Sequence, residues 1–255
     1  MALTPHEIYE RSAAEGARRL DASLPAMAAT GFLAGVTIVF GIIALGIVHG
    51  LVVDGAGEGV AKLAGALAFG IGLVFAVVGR ADLFTENFLD PVAAVLEERP
   101  GATWSAVGRM WLVILVFNLV GGAALALLVA VDGALTAGAP HALATVASDL
   151  IARGPLASFT NAIAAGALLT LMTYLLAATE SVTARIALAY LIGVFLAIGP
   201  FNHVVVTELH LLLGWRFGAE VGIGDILQAF VVSTTGNLIG GVVLITIAQT
   251  VRAKS

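Results

Sequence analysis

Cysteine is absent from the 255-residue chain, which excludes disulfides and thiolate metal sites. Charge is scarce. Asp, Glu, Lys and Arg make up 11% of the residues, where a soluble domain carries about a quarter. No Lys/Arg-rich tract suggests a nucleic-acid partner, and the net charge of −5 says little when most charges lie between apolar runs. No G-x-S-x-G, H-E-x-x-H or P-loop occurs. His203 and Glu208 have no second histidine at ligand spacing, so no metal site is read there. The run GIGLVFAVVG from Gly70 is a packing pattern, because no strand precedes it. Nothing supports an enzyme, and nothing calls for a cofactor.

What the chain has is hydrocarbon. Hydrophobic residues make up 60%, mean hydropathy is +1.03, and there are 30 glycines. Such a chain cannot cover its surface with polar groups, so lipid is the expected solvent. A helix needs about 20 apolar residues to span the hydrocarbon core, and small residues let membrane helices approach closely. Five spans are clear and a sixth is irregular: 27–53, 60–79 continuing to Glu98, 104–131, Pro155 to 178, 184–199 continuing to Gly214, and 224–251. The polar stretches 132–154 and 215–224 read as extramembrane loops. With six crossings, Lys and Arg near the span ends divide 8 against 3 in favour of the side holding the N-terminus, with Arg80 left at membrane depth. That bias places both termini in the cytoplasm, in the cell inner (plasma) membrane.

Residues 1–24 are polar and charged, so no secretory signal peptide is expected. Within residues 1–26, TPHE offers a helix start with Thr4 as cap and Glu7 three residues on. Leu3, Ile8, Ala13, Ala17, Leu20 and Leu24 form a loose apolar stripe. The expectation is an amphipathic surface helix against the membrane or a neighbouring subunit, with a frayed tail as the alternative. Residues 27–251 form a single transmembrane domain.

That domain contains a repeat. NLVGG begins at Asn118 and NLIGG at Asn237, a spacing of 119 residues. The same spacing carries Phe84 of ADLFTEN onto His203 of GPFNHVVV, so two polar interruptions fall at the same place in the halves 27–131 and 155–251. Each half has three crossings, an odd number, so the second half is inverted. Paired interrupted segments in corresponding halves point to a membrane transport site.

The first interruption, Gly79 to Pro91, places Arg80, Asp82, Thr85, Glu86, Asn87 and Asp90 where a continuous helix would be apolar. Such groups face protein or water. The second has Gly199 and Pro200, then Asn202, His203, Thr207 and Glu208. Half-helix termini meeting at the midplane favour an anion, and His203 adds a charge or a proton. The plain alternatives are a second span that ends at Gly79, and a structural His203 satisfied by a carbonyl. His49 and His210 read as structural. Asn118 and Asn237 read as hydrogen-bonding the broken backbone of neighbouring helices.

These residues resemble the formate/nitrite transporter family, from about Thr30 to Val251. ADLFT (81–85) is similar to the family's second-helix loop, where Leu, Phe and Thr form a constriction and Thr orients a central histidine. His203 falls at that histidine. NLVGG and GNLIGG match the glycine-rich third and sixth helices. The resemblance implies an all-α, aquaporin-like fold of six transmembrane helices as an inverted 3+3 repeat, with helices 2 and 5 broken. It also implies a homopentamer passing a small monovalent anion or its weak acid, passively or with a proton. Arg80 stands where the family has a small or apolar residue, Thr207 where it has Asn, and Thr170 near its fourth-helix Asn; Glu86 and Glu208 also depart from it.

The expected pore residues are Leu83, Phe84, Thr85, Asn202, His203 and Thr207. Arg80, Glu86 and Glu208 are candidates for gating or an ion pair, with Arg80 expected to reach Glu208 across the pore. The alternatives are a pore retuned by those three residues for a cation or neutral solute, and a plugged scaffold that transports nothing.

Overall fold

Most helices begin where the sequence supplies a capping oxygen or a proline. In the computed structural model, which describes residues 3–255, Thr4 caps α1 (Pro5–Leu20): its side chain accepts from Glu7 N while Glu7 accepts from Thr4 N. Ser23 caps α2 (Leu24–Ala56), Thr103 caps α5 (Trp104–Val129) and Ser181 caps α8 (Val182–Ile198), each accepting from the backbone N of an alanine three residues on. Prolines open α4 (Asp90–Leu96), α6 (Ala139–Ile151) and α7 (Pro155–Ala177), where the missing N–H removes no helical bond. The remaining helices are α3 (Glu58–Val78), α9 (Val204–Arg216), α10 (Ile223–Leu238) and α11 (Ile247–Lys254). A 3₁₀ turn covers Phe84–Asn87, and a π-helical stretch, Ile239–Thr246, joins α10 to α11.

Five of these helical stretches are long and apolar enough to cross a membrane: α2, α3, α5, α7 and the continuous Ile223–Lys254. The sixth crossing is divided between α8 and α9 by residues 199–203. The first interruption is also a break: α3 ends at Val78, and helix resumes with the 3₁₀ turn and α4.

The two halves use the same joints. A Cβ on Gly121 would lie 2.0 Å from the Phe32 carbonyl oxygen, and one on Gly240 would lie 1.8 Å from that of Ile163. Neither position tolerates a side chain without separating α2 from α5 or α7 from the π-helical stretch. This is the close backbone approach that the glycine pairs of NLVGG and NLIGG supply.

Two expectations need correction. Residues 139–151 are helix, not loop: Ala139, Ala142, Leu143 and Ala147 form a buried stripe, and Ala147 packs so tightly on α9 that a Cβ on Gly214 would meet it at 2.1 Å. The N-terminal helix does not lie free on a membrane surface. Ile8, Tyr9, Ala13, Gly16 and Leu20 are buried, and α1 packs on α4, α7 and α11 of its own chain. A Cβ on Gly16 would meet the Asp90 carbonyl at 1.9 Å, and Thr250 donates to the Tyr9 hydroxyl. Both termini therefore lie on one face. Met1 and Ala2, within the expected N-terminal segment, fall outside the described residues.

Candidate transport site

Broken helices leave backbone groups without helical partners, and two asparagines supply them. Asn118 on α5 accepts from Phe84 N at 2.9 Å and donates to Asp82 O (2.9 Å) and Gly31 O (2.8 Å). Asn237 on α10 accepts from Val204 N at 2.9 Å and donates to Asn202 O (2.9 Å) and Ala162 O (2.7 Å). Both side chains are fully buried, and this pattern relates the two breaks as an inverted pair. It also corrects the register by one residue. Phe84 lies 34 residues before its asparagine, but Val204 lies 33 before its own. The counterpart of Phe84 is thus Val204, and the counterpart of His203 is Leu83. Each of these last two stands at the N-cap of the helical segment that follows its break.

The breaks meet at one polar contact. Thr85 Oγ1 and His203 Nε2 are 2.6 Å apart and both residues are buried. His203 Nδ1 accepts from Val206 N at 3.3 Å. A ring nitrogen that accepts carries no proton, so Nε2 carries it and donates to Thr85. The Thr85 hydroxyl hydrogen is then left for another acceptor. Leu83 and Phe84 are buried beside this contact. The Phe84 ring stands edge-on to Phe88 at 4.8 Å, and Phe88 packs on Trp111 at 5.5 Å. Trp111 donates to Asn87 O at 2.7 Å, holding the turn.

Chambers of about 440 Å³ lie on either side of this contact. The far-side chamber, away from the termini, is lined by His49, Lys62, Arg153, Pro200, Thr207 and His210 among others. Arg153 donates to Pro200 O at 2.9 Å and to Asn202 Oδ1 at 3.3 Å, so a guanidinium sits at the mouth of the second break. Desolvation lowers its proton affinity somewhat, against Asp149. Lys62 binds Asp149 at 3.0 Å. His210, set aside in the sequence, lines this chamber, bonds Val206 O through Nδ1 at 2.9 Å and stacks on Phe69. Its signal was its position seven residues beyond His203, two turns along one helix face.

The terminal-side chamber is lined by charged groups from α1, the first break and the α7–α8 connection. Arg19 from α1 enters the break, 3.3 Å from Asp82, 2.9 Å from Asn87 Oδ1 and 4.0 Å from Asp90. Sequence reasoning missed this residue, because its partners lie over 60 positions away. Thr30 also donates to Asp82, at 2.8 Å. Glu86 is 6% exposed with Oε1 unpartnered, and the Glu86 carbonyl accepts from Thr173 at 3.1 Å.

The expected pair of Arg80 and Glu208 is not formed. Arg80 is exposed in the terminal-side chamber at φ +53° and has no salt bridge among the described residues. Glu208 is buried on α9 with Oε1 unpartnered. The breaks do meet, but through Thr85 and His203; beyond that contact α9 runs to the far side while Arg80 stays at the terminal-side end of α3. Thr170 is buried with an unpartnered hydroxyl, and a Cβ on Gly241 would approach it to 2.5 Å.

Two inverted halves, each with a broken helix, and a polar contact closing the way between two chambers define a multi-pass membrane transport protein. The chain belongs to the formate/nitrite transporter family, whose model, described as "Formate/nitrite transporter", matches residues 6–251. It is 29% identical over 234 residues to a protein named "Probable formate transporter" from Methanothermobacter thermautotrophicus, covering 84% of each chain. It is 25% identical over 235 residues to "Inner membrane protein YfdC" of Escherichia coli, covering 92% of this chain and 74% of that one. A solved "FNT family ion channel" superposes with TM-score 0.80 at 21% identity, over 96% of this chain and 98% of that one. A "Pentameric formate channel with formate bound" superposes with TM-score 0.73 at 18% identity, over 91% and 98%. The family comprises channels and transporters rather than enzymes.

Proposed function

We propose that this protein passes a small monovalent anion of the formate type, or its weak acid, through a pore within each subunit of a homopentamer. The observation that carries the reading is the buried Thr85–His203 contact between two chambers. It leaves one hydroxyl donor at the narrowest point, flanked by the apolar Leu83 and Phe84. Such a point binds an anion through one hydrogen bond. Arg153 and Asn202 at the far mouth, with Thr207 below them, would admit the anion from that side; Arg80 would do so from the other. The terminal face would be cytoplasmic and the membrane the inner (plasma) membrane, consistent with the excess of Lys and Arg on that side. No partner beyond the anion, the bilayer and the other subunits is needed.

The experiment is uptake by proteoliposomes, with formate, nitrite, hydrosulfide, potassium and water in parallel. Formate-type flux without potassium flux is expected, altered in size or pH dependence by His203→Asn. Potassium or a neutral solute alone would favour the retuned pore, and no flux of any solute the plugged scaffold. Native mass spectrometry in mild detergent reads the subunit number, expected to be five.

A further inference from the structure

We infer that Glu86 couples each anion crossing the constriction to one proton, by sharing that proton with the anion at the terminal-side mouth. This rests on the anion reading above. Glu86 is the immediate neighbour of Thr85, lines the terminal-side chamber, and is buried with one carboxyl oxygen lacking any donor.

The other acids around that chamber have cations. Asp82 has Arg19 and Thr30, and Asp90 has Arg19 at 4.0 Å. Glu15 holds both Arg18 and Arg19, and Glu180 holds Arg11 at 2.9 Å. Of the remaining guanidiniums, Arg185 donates to Thr179 O at 3.2 Å and Arg80 is exposed. Glu86 has no cation within 4.0 Å among the described residues, and the guanidinium nearest its turn already serves three carboxylates.

Two carboxylates in hydrogen-bond contact in a low dielectric cannot both be ionised. An anion that reaches Thr85 from the terminal side comes beside Glu86, so one proton must lie between them. The imidazole is not placed to supply it, because both of its nitrogens are engaged, by Val206 N and by Thr85. In the step, the O–H bond of the Glu86 carboxyl breaks and an O–H bond forms on the anion, which crosses as the neutral acid. The Glu86 carboxylate then takes a proton from hydronium in the terminal-side solution. Passage the other way reverses both transfers, with no redox change.

The test is formate transport in proteoliposomes, with membrane current and internal pH recorded together. The wild type is expected to move one proton per formate with no steady current. Glu86→Gln keeps the shape and supplies an N–H donor but cannot carry the proton. In that variant the proton-to-formate ratio should fall toward zero, a formate current should appear, and the rise of flux at low pH should flatten. Glu86→Asp should retain the ratio at a lower rate. An unchanged ratio in Glu86→Gln overturns the inference while leaving the anion reading intact. Should Glu86→Gln fail to assemble, an uncoupled formate current in the wild type, or loss of coupling in Glu86→Asp, overturns it instead. Absence of formate, nitrite and hydrosulfide flux in the wild type overturns both.

Discussion

Asn118 and Asn237 make the same three hydrogen bonds in opposite halves of the protein: each accepts from a backbone N–H just past a break and donates to two carbonyls. Helix breaks at membrane depth survive because each is fastened to a neighbouring helix by one amide side chain. Replacing either asparagine by alanine orphans the backbone N–H and the carbonyl it holds at its break, each worth about 1–3 kcal/mol. Asn118→Ala and Asn237→Ala should lower the thermal midpoint by similar amounts. A shift for one and none for the other would show that the halves are not fastened alike.

Arg19 should behave as the pin that holds α1 to the first break. Arg19→Met leaves Asp82 and Asp90 without their shared cation, a loss of about 3–5 kcal/mol where such a pair is buried. The expected readout is faster amide exchange throughout α1 with little change in α7. Uniform acceleration across the protein would mean that Arg19 stabilises the fold as a whole instead.

Glu15 gives α1 itself a pH dependence, through partners on its own helix. Burial opposes its charge, but Arg18 and Arg19 outweigh burial and bring the carboxyl from 4.5 down to about 2. A depressed pKa stabilises the folded helix above about pH 4.5 and loses that contribution as the pH falls toward about 2. Protection of α1 amides, corrected for intrinsic exchange, should decline over that window in the wild type. In Glu15→Gln this part of the decline should be missing.

Arg80 sits at φ +53°, where a side chain costs about 1–2 kcal/mol. Arg80→Gly should therefore raise the thermal midpoint. Because Arg80 and Glu208 do not meet, adding Glu208→Gln should change stability additively. A coupling well above about 0.5 kcal/mol between the two sites would contradict the geometry.

What the sequence made legible was whatever lay in short-range pattern. Gly79 with Pro91, and Gly199 with Pro200, marked both breaks, and the two asparagine–glycine motifs marked the repeat. Thr85 and His203 followed from these together with the family resemblance. Long-range pairing was not legible. Nothing local ties Arg19 to Asp82, and nothing in the composition of residues 132–154 shows that four small or apolar side chains would line up against α2 and α9. The π-helical turn at Ile239–Thr246 reads as ordinary apolar helix, because its distinguishing contacts are long-range: Gly241 packs on Phe88, and Thr246 donates to the Phe88 carbonyl. The Arg80–Glu208 pair failed because facing breaks were taken to bring their flanks together, whereas inversion sends the flanks apart.

The pairing of His203 with a leucine rather than a second histidine has a consequence for a scaffold built by duplication. Under strict inversion, residues at matching positions near the pseudo-axis come in facing pairs, and a histidine there would confront a second histidine. Two imidazoles at that range would repel whenever both were protonated. With Leu83 as the counterpart of His203, one half contributes hydrocarbon and the other contributes the ring. A solute approaching from the two sides therefore meets different chemistry first, and a molecule built by doubling acquires a front and a back.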